Sequence, residues 1–412
     1  MRMIFLTQYF AGPSQPGSGR PWQTASFFGN RGHQVKLLVS DLDYATGKPR
    51  QEGRPEHDKL PPTVSLHTIR SFGFGKSMFS RAVQYISYTL FALVRGLLFR
   101  KIDVVLASSP PIFVGLAGYL VALAKGAKFV LEIRDPWPAA PVYFGVLKNP
   151  VVIRILLKLE RFLYNRAHLI VPVTPGMKRH IQQKGISGDK IEVITTGYDP
   201  EIFAGCPEPG WPAKGKAMVI YTGSLGAINE TGLLMEVVEL LRDQPEIQFT
   251  FLGSGTCKAA MQQIAVEKGL TNVTFLPPVP RKEVAGYLSG AQIAIVATRP
   301  GFYSEIGLHN KMFDYMGAGL PVVISGTGDI KDIIQASGGG LVVEPGNPRA
   351  FAAAVLYLAY NPDLCAIMGR RAKAYVNGHF HRAKLLARYE AAILQLFAGN
   401  PGGTIQNGPA ER

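Results

Sequence analysis

The sequence predicts an α/β protein built from two doubly wound parallel sheets that face a central cleft. Short apolar runs typical of buried strands alternate with segments of helical periodicity in both halves of the chain. An interleaved order of this kind is typical of parallel sheets with helices on both faces. The chain has 412 residues, of which 47% are hydrophobic, which is enough for two domains with separate cores.

The first half contains six predicted strands. A strand at 3–10 is followed by a loop rich in Gly and Pro at 11–21 and by a helix near 22–30. The next elements are strands at 34–40 and 103–107, a helix after 108–111, a strand at 128–133, a helix near 151–166, and strands at 168–173 and 190–195. Residues 198–216, rich in Gly and Pro, predict a linker.

The same alternation restarts after the linker, which divides the chain into expected domains at 1–198 and 199–379. The predicted elements are strands at 217–222, 248–252, 273–276 and 292–296, helices near 233–243, 258–268 and 284–289, and a last helix near 382–397. The tail at 399–412 is polar and rich in Gly, so we expect it to be disordered.

Positive charge is concentrated in the first half. The net charge is +15, and residues 1–200 hold 26 Lys and Arg against 12 Asp and Glu, whereas residues 201–412 hold 18 against 17. This excess predicts an anionic partner for the first half, such as a membrane surface, a phosphorylated substrate or a nucleic acid. Because no zinc finger, RNP pattern or basic heptad is present, we expect no nucleic-acid partner and favour a membrane surface or phosphorylated lipid.

Cysteines and paired acids give no sign of a metal. Cys206, Cys257 and Cys365 are widely separated without a CxxC pair, which argues against a disulfide framework or a zinc site and fits a reducing cytosol. Asp41 and Asp43 form a DxD-like pair without a third ligand, so we favour a solvated loop. The N-terminal apolar run is too short for a signal peptide and predicts a buried strand.

The most informative segment is 304–323, SEIGLHNKMFDYMGAGLPVV. It predicts a helix that starts near Lys311 and ends at a Gly-Ala-Gly turn, followed by a buried strand at 320–325. Free amides at such a helix start can bind an anion beside the Lys311 charge, and Asp314 can accept hydrogen bonds from sugar hydroxyls. This predicts a nucleotide-type ligand, although an ordinary amphipathic helix before a parallel strand explains the residues equally well.

Glycine-rich turns at predicted strand ends are candidate phosphate contacts. In the second half they are Gly223, Ser224 and Gly226 after one strand, and Gly253, Ser254 and Gly255 after the next. They suit close backbone contact with a diphosphate and a nucleoside, or are simply tight connections. In the first half they are Gly17, Ser18 and Gly19, which precede the cation Arg20. These residues predict contact with a leaving phosphate or an acceptor, with a flexible surface loop as the alternative.

Arg134, Asp135 and Trp137 directly follow the strand at 128–133, at the sheet edge that is expected to face the cleft. Asp135 is predicted to orient an acceptor hydroxyl or to stabilise positive charge on a sugar ring. The alternative is an Arg–Asp pair beside a buried Trp.

The segment 76–101 predicts an apolar helix with five basic residues, of which Arg95 leaves the apolar stretch too short to span a bilayer comfortably. An interfacial helix on anionic lipid and a core helix of the first domain both fit it, and the charge excess favours the membrane face.

Seven short pieces, taken in order, resemble a known family. They are PGSGRPWQ with the following RGHQVKLLVS, then ASSPPIFVGLAG, LEIRDPWP, TGYDPEIF, YTGSLGA, FLGSG and HNKMFDYMGAGLPVV. No single piece is specific, but their order and spacing over nearly the whole chain are. The chain resembles the retaining glycosyltransferases of family 4, which have the GT-B fold. It is most similar to the bacterial transferases that build cell-surface polysaccharide on a lipid carrier, such as the N-acetylfucosamine transferase of O-antigen assembly.

The sequence departs from the family pattern in two places. Many members carry two Glu eight residues apart around the helix start, whereas here Asp314 matches the second and position 306 is Ile. Glu305, nine residues before Asp314, is the candidate for the missing acid. Many members also place an Arg and a Lys in the segment that is 224–229 here, which has no cation. Lys311 and Arg281 are then expected to hold more of the diphosphate charge.

The resemblance implies a donor site in the second domain and an acceptor site in the first. It adds Val279, Arg281, His309 and Asn310 to the donor-binding residues, and it gives Asp135, Lys311 and Glu305 catalytic roles. Gly17, Ser18, Gly19, Arg20, Arg134 and Trp137 are the implied acceptor-binding residues. It also implies that the last helix, about 380–398, crosses back to the first domain. In a front-face mechanism the leaving β-phosphate takes the acceptor proton, so that neither a cofactor nor a metal is required.

The expected protein is a hexosyltransferase that moves a hexose or N-acetyl aminosugar, with retention, from a nucleotide-diphosphate sugar to a lipid-linked saccharide. We expect it in the cytoplasm, peripherally bound to the inner face of the membrane. Two rivals remain open. One is a nucleotide-sugar 2-epimerase of the same fold, which needs further acids and a His in the cleft. The other is a non-catalytic, membrane-associated protein that binds nucleotide sugar.

Overall fold

The chain folds around two parallel six-stranded sheets. A computed structural model describes residues 1–12, 19–42, 60–73, 78–203 and 216–398. The strands of the first sheet are β1 (Arg2–Thr7), β2 (Gln34–Ser40), β3 (Val64–Ile69), β4 (Val104–Ser109), β5 (Lys128–Ile133) and β6 (Leu169–Pro172). Those of the second sheet are β7 (Ala217–Ser224), β8 (Ile247–Ser254), β9 (Val273–Leu276), β10 (Ile293–Ala297), β11 (Val322–Ser325) and β12 (Gly340–Val343).

Helices connect the strands of both sheets. In the first half they are α1 (Arg20–Asn30), α2 (Met78–Leu98), α3 (Ile112–Lys125), α4 (Ala139–Tyr143), α5 (Pro150–Arg166) and α6 (Pro175–Gln183). In the second half they are α7 (Thr231–Leu240), α8 (Lys258–Glu267), α9 (Arg281–Ser289), α10 (Phe302–Ile306), α11 (Asn310–Gly317), α12 (Gly328–Ser337), α13 (Pro348–Ala359), α14 (Pro362–His379) and α15 (Arg382–Gln395).

The two sheets share one topology. The first has the order β3-β2-β1-β4-β5-β6, and the second has the order β12-β11-β10-β7-β8-β9, which is the same sequence of strands read from the other edge. The strand order reverses between β1 and β4 in the first sheet and between β7 and β10 in the second. Ligands of open α/β sheets bind outside the carboxyl ends of the strands at such reversal points. The predicted architecture of two doubly wound parallel sheets is confirmed.

Apolar side chains from both faces of each sheet form the cores. Helices α2, α3 and α5 cover one face of the first sheet, and α1 covers the other together with α15 from the end of the chain. In the second sheet, α7, α8 and α13 pack on one face, and α11, α12 and α14 pack on the other. Strands buried on both faces explain why the sequence shows nearly continuous apolar runs rather than alternation.

The predicted strand at 190–195 is wrong. Ile191 forms a single bridge to Ile170, and the amides of Glu192 and Ile194 donate to the carbonyls of Ile170 and Pro172 at 3.0 and 3.1 Å. A parallel ladder would need the amide of residue 172 to donate back to Glu192, and proline has no amide hydrogen. The segment therefore lies beside β6 without continuing the sheet.

The chain crosses between the two halves at two adjacent points. Tyr198 leads out of the first half, and its amide donates to the carbonyl of Phe380 at 2.8 Å, while the Arg382 amide donates to the Tyr198 carbonyl at 2.9 Å. After this second crossing, α15 packs on α1 with Leu385 and Tyr389 in the core of the first half. Residues 204–215 of the expected linker and the tail at 399–412 lie outside the described residues.

Within the described part of the chain, no single helix has the length and apolar character needed to cross a membrane. The helices α13 and α14 meet those criteria as a pair, but they are bent by 101°.

Candidate active site

A cavity of about 390 Å³ lies between the two sheets, at the carboxyl ends of the strands. The first half contributes Tyr9, Phe10 and Ala11 after β1, Pro110 after β4, Arg134 and Asp135 after β5, and Val173 after β6, together with Arg20 and Thr196. The second half contributes Leu308 and Asn310, at the start of α11. Because β1 and β4 flank the reversal of strand order, this cleft cavity lies where the topology predicts a ligand.

Asp135 is a carboxylate on the wall of the cleft cavity. Its side chain is partly buried, and burial raises its pKa to about 6, although the positive charge of the neighbouring Arg134 opposes the shift. A carboxyl group with such a pKa changes its charge close to neutral pH and can accept a proton from a substrate hydroxyl. The structure thus brings the predicted Arg134 and Asp135 together in the cleft.

Arg20 lines the same cavity as one half of a buried ion pair. Its Nε donates to Glu132 Oε2 at 2.9 Å and its Nη1 donates to the carbonyl of Thr195 at 2.8 Å, while Ser108 donates to the other oxygen of Glu132 at 2.7 Å. The carboxylate of Glu132 therefore offsets much of the positive charge of Arg20, which the sequence alone assigned to the cleft. Arg20 begins α1 rather than ending a loop, and Gly19 directly precedes that helix.

Of the remaining predicted acceptor residues, Gly17 and Ser18 lie outside the described residues, and Trp137 faces a different cavity. This second cavity, of about 350 Å³, is lined mainly by apolar side chains and shares Pro110 and Asp135 with the cleft cavity. Trp137 packs edge-on against Tyr85 and Phe113 within it. Trp137 and Arg134 therefore line different cavities, and Asp135 lines both.

The predicted glycine turns of the second half lie partly within the strands. Gly223 and Gly253 are paired residues near the ends of β7 and β8, and Ser224 and Ser254 end the same strands. A Cβ atom on Gly253 would lie 1.9 Å from the Gly223 carbonyl oxygen, because the two strands approach so closely there. These glycines thus have a packing role whether or not they also contact a ligand.

The same packing continues into the next turn. A Cβ atom on Gly255 would lie 2.3 Å from the carbonyl oxygen of Leu225. Gly226 precedes a short 3-10 helix at 227–229, and the Asn229 side chain donates to the carbonyl of Ser224 at 2.9 Å. The chain after β7 is therefore a fixed turn, and Gly223 and Ser224 are exposed at the carboxyl end of β7.

Helix α11 is held against the end of β7 by Tyr315. The hydroxyl of Tyr315 accepts a hydrogen bond from the Thr222 amide at 2.6 Å, in a buried position. From the first turn of the same helix, Lys311 donates to the hydroxyl of Tyr221, and its Nζ lies 3.7 Å from the centre of that ring. Lys311 Cε also lies 3.6 Å from the position that a Cβ on Gly223 would occupy, so the structure brings Lys311 and Gly223 together.

Burial lowers the pKa values of two residues at the start of α11. Burial lowers the pKa of Lys311 well below its usual range. An anion that binds beside Lys311 would stabilise the charged form of its amine and so raise this pKa. Burial and the nearby Lys311 also lower the pKa of His309 to about 3, so its imidazole is neutral. His309 Nε2 lies 2.7 Å from Thr298 Oγ1, which fixes the ring at the start of α11. Asp314 is partly buried in the same helix.

Comparisons with known proteins relate both halves of the chain to glycosyltransferases. Residues 22–202 match the family model described as Glycosyltransferase Family 4, and residues 216–361 match the model described as Glycosyl transferases group 1. The probable glycosyltransferase WbjE of Pseudomonas aeruginosa is 24% identical over 370 residues, which cover 85% of this chain and 88% of WbjE. The chain is a family 4-like glycosyltransferase.

Further relatives and solved structures extend the likeness. WcaI of Escherichia coli strain K12, named as a colanic acid biosynthesis glycosyl transferase, is 22% identical over 236 residues, or 55% of this chain and 58% of WcaI. The structure of Anabaena Alr3699/HepE in complex with UDP superposes with a TM-score of 0.72 at 13% identity and covers 96% of this chain and all of HepE. This likeness confirms that the fold of the glycosyltransferase is GT-B.

Glu305, predicted to be catalytic, and Val279 and Arg281, predicted to bind the donor, belong to segments other than α11 in this glycosyltransferase. Glu305 is exposed on α10, accepts a hydrogen bond from Thr327 Oγ1 at 2.9 Å, and is not among the described residues that line the cleft cavity. Val279 is partly buried in the loop before α9. Arg281 begins α9 rather than preceding it, and its side chain lies outside the described part of the structure.

The glycosyltransferase also has contacts between its halves that the sequence did not reveal. Asp329 of α12 accepts hydrogen bonds from the Gly176 amide at 2.5 Å and from Arg179 at 2.7 Å, both on α6. Thr174 Oγ1 donates to the Ile306 carbonyl at 2.6 Å. Helix α6 was not predicted from the sequence, because its local signal is only a Thr-Pro start, and this contact between the halves was therefore not predicted either.

Asp41 and the cysteines take no part in the described site. The carboxylate of Asp41 accepts a hydrogen bond from a backbone amide at 2.8 Å, and burial raises its pKa. Asp43 and Cys206 lie outside the described residues, and Cys257 and Cys365 are free thiols.

Proposed function

We propose that this glycosyltransferase moves a sugar, with retention, from a nucleotide-diphosphate sugar bound by the second half to a lipid-linked saccharide bound by the first. The observation that carries the proposal is the cleft cavity. It joins Asp135 on one wall to the start of α11 on the other. One substrate on each wall brings the reacting atoms together between the halves, which is the main requirement for a group transfer of this kind.

The start of α11 supplies what a diphosphate needs. Amides at the amino end of a helix favour anions, and Lys311 lies beside Gly223 at the end of β7, where a bound diphosphate would stabilise the charged form of its amine. Asp314 lies one turn further along α11, where its carboxylate would accept hydrogen bonds from ribose hydroxyls. A nucleotide donor is also consistent with HepE, whose structure holds UDP.

Asp135 and Arg134 are the proposed acceptor contacts. With a pKa of about 6, Asp135 is mostly ionised at neutral pH and can orient the attacking hydroxyl or stabilise the positively charged sugar ring. In the front-face mechanism that we propose, the leaving phosphate takes the proton, and the protein positions the reactants and offsets phosphate charge. Analysis of the product anomer by NMR tests retention, since an inverted product would make Asp135 a general base instead.

The lipid-linked acceptor and a peripheral membrane position rest on the surface of the first half. Seventeen of the large hydrophobic residues that are exposed in the described structure lie between Phe72 and Phe162. On α2 they include Ile86, Leu90, Val94 and Leu97, spaced so that they share one side of the helix. Apolar side chains on a strongly basic half suit the surface of an anionic membrane, and assembly of a surface polysaccharide on lipid would take place there.

A nucleotide screen tests the donor site. Thermal shift and calorimetry with UDP-, GDP-, ADP- and CMP-sugars, first without metal and then with Mg²⁺, should show metal-independent binding of one nucleotide class. Lys311→Met should weaken that binding at least tenfold, whereas Lys331→Met, at an exposed position of α12, should leave it unchanged. If no nucleotide stabilises the protein, the donor assignment of α11 is wrong. Turnover of the donor without any acceptor, to a C2 epimer, would instead support the epimerase.

A further inference from the structure

The apolar cavity beside the cleft contains none of the residues proposed to hold the donor. Its volume is about 350 Å³, and its walls come from α2, α4, α5 and the turn after α4. Tyr303 of α10 adds a wall from the second half. The cavity meets the cleft at Pro110 and Asp135, which line both. A single bound molecule can therefore extend from one cavity into the other past the Asp135 carboxylate.

We propose that this cavity binds the hydrocarbon chain of the acceptor, in the part next to its phosphate groups, while the polar end of the acceptor lies in the cleft beside Arg134 and Asp135. The inference rests on the proposed function and gives its acceptor a defined apolar site. It differs from a general attraction to the membrane, because the chain would be enclosed by protein.

Volume and lining suit a branched or unsaturated chain. A cavity of roughly 150 Å³ is enough to hold benzene, so 350 Å³ has room for about a dozen carbon atoms. Tyr85, Phe113, Trp137 and Leu156 supply apolar wall, and burial of hydrocarbon against such side chains is the main source of affinity in sites of this type. The lining includes one carboxylate, Asp135, and it lies at the end that opens to the cleft.

The outer side of the cavity indicates a lipid rather than an apolar peptide. Ile86 and Phe144 line the cavity and are 51% and 44% exposed, so the apolar wall continues onto the surface. Arg81, also exposed, is the cation of the lining. Within the helices α2, α3, α4 and α5 as the structure describes them, the one acid is Glu160, which is buried and paired with Lys184. An apolar entrance with one cation, Arg81, and no exposed acid on the surrounding helices matches a hydrocarbon that carries an anionic group.

Tyr303 makes occupancy of the cavity sensitive to the position of the second half. Its ring centre lies 4.9 Å from that of Phe144 and 5.5 Å from that of Tyr143, and the Tyr143 hydroxyl donates to the Pro300 carbonyl at 2.9 Å. A chain in the cavity would contact both halves, so its binding favours the arrangement in which the cleft is closed.

A chain-length series tests the proposal on the full-length protein. The probes are isopentenyl, geranyl and farnesyl diphosphates, with five, ten and fifteen carbons, kept below the concentrations at which they form micelles. Affinity should rise at least tenfold from five to ten carbons and then level off as the cavity fills. The fluorescence of Trp137 should change with the longer probes and not with inorganic diphosphate.

Two variants separate enclosure from membrane attraction. Ala82 lines the cavity at an exposed position, so Ala82→Trp should fill its entrance without disturbing folding and should abolish the gain with chain length. Ala259→Trp, exposed on α8, is the matched control and should keep the gain. If affinity rises equally for every added carbon, or rises equally in the Ala82 variant, the cavity is not the site. If the cavity fails this test but the protein still binds nucleotide, the proposed transferase function stands without a lipid site in the cavity. If the wild-type protein does not bind nucleotide at all, the transferase function itself is refuted.

Discussion

Replacement of Asp135 by Asn should stabilise the protein at alkaline pH and disable it. The carboxyl pKa is raised from 3.8 to about 6, so the folded protein holds this proton more tightly than the unfolded chain. Ionisation of Asp135 therefore costs stability: the cost is absent below pH 4, grows through pH 6 and is complete above it. A shift of about two units corresponds to about 3 kcal/mol at most, since each unit contributes roughly 1.4 kcal/mol and the group is partly solvated.

The assay is urea denaturation of both proteins between pH 4 and pH 8. The free energy of unfolding of Asp135→Asn should exceed that of the wild type by about 1–3 kcal/mol at pH 8, and the difference should vanish near pH 4. Asp189→Asn, at an exposed position of the first half, should show no such trend. A variant that is equally stable at every pH, or less stable at pH 8, would refute the conclusion that partial burial raises the pKa of the Asp135 carboxyl group.

The same variant tests catalysis. If the ionised Asp135 orients the acceptor or stabilises the transition state, kcat should fall by about 100-fold with little change in nucleotide affinity. The wild-type kcat/KM should also decrease below pH 6, and this limb should be absent from the residual activity of the variant. A large loss of nucleotide binding would move Asp135 out of the acceptor side.

Three further substitutions test the framework of the site. Gly253→Ala should cost about 3 kcal/mol or more in denaturation, because its Cβ would lie 1.9 Å from a carbonyl oxygen, whereas Gly269→Ala, with open space around it, should cost about 1 kcal/mol. Tyr315→Phe should cost about 1–3 kcal/mol and weaken nucleotide binding, since a buried amide loses its acceptor; unchanged binding would show that α11 needs no such support. Asp329→Ala should raise the fraction of donor hydrolysed by water, as the halves lose a buried contact, and an unchanged ratio of hydrolysis to transfer would contradict a role in closure.

The fold was predictable because its strands are buried on both faces. Runs such as those in β4 and β10 are buried throughout and mostly apolar, and they were located within a few residues. Elements with weaker signals were missed, among them β3, whose central residues are half-exposed, and the short helix α6. The false strand at 190–195 has the right composition, but its partner Pro172 cannot return a hydrogen bond, and that depends on a residue some twenty positions away.

The site was predictable where chemistry follows directly on a strand or opens a helix. Arg134, Asp135 and Lys311 were found in this way, and the structure places the first two on the cleft wall and the third at the end of β7. Partners from distant parts of the chain were not predictable, since no local pattern links Arg20 to Glu132 across 112 positions. The apolar cavity could not be predicted either, because its walls come from separate segments that meet only in the folded protein.

The return of α15 to the first half has a consequence for synthesis. Leu385, Tyr389 and Ile393 complete a core that begins with Met3 and Phe5, so the side of the first sheet that α1 and α15 share is only partly covered until α15 leaves the ribosome. At translation rates of about 5–20 residues per second, roughly 190 intervening residues correspond to roughly 10–40 s. During that interval the uncovered part of this side is open to aggregation, and premature termination before α15 would leave that part uncovered.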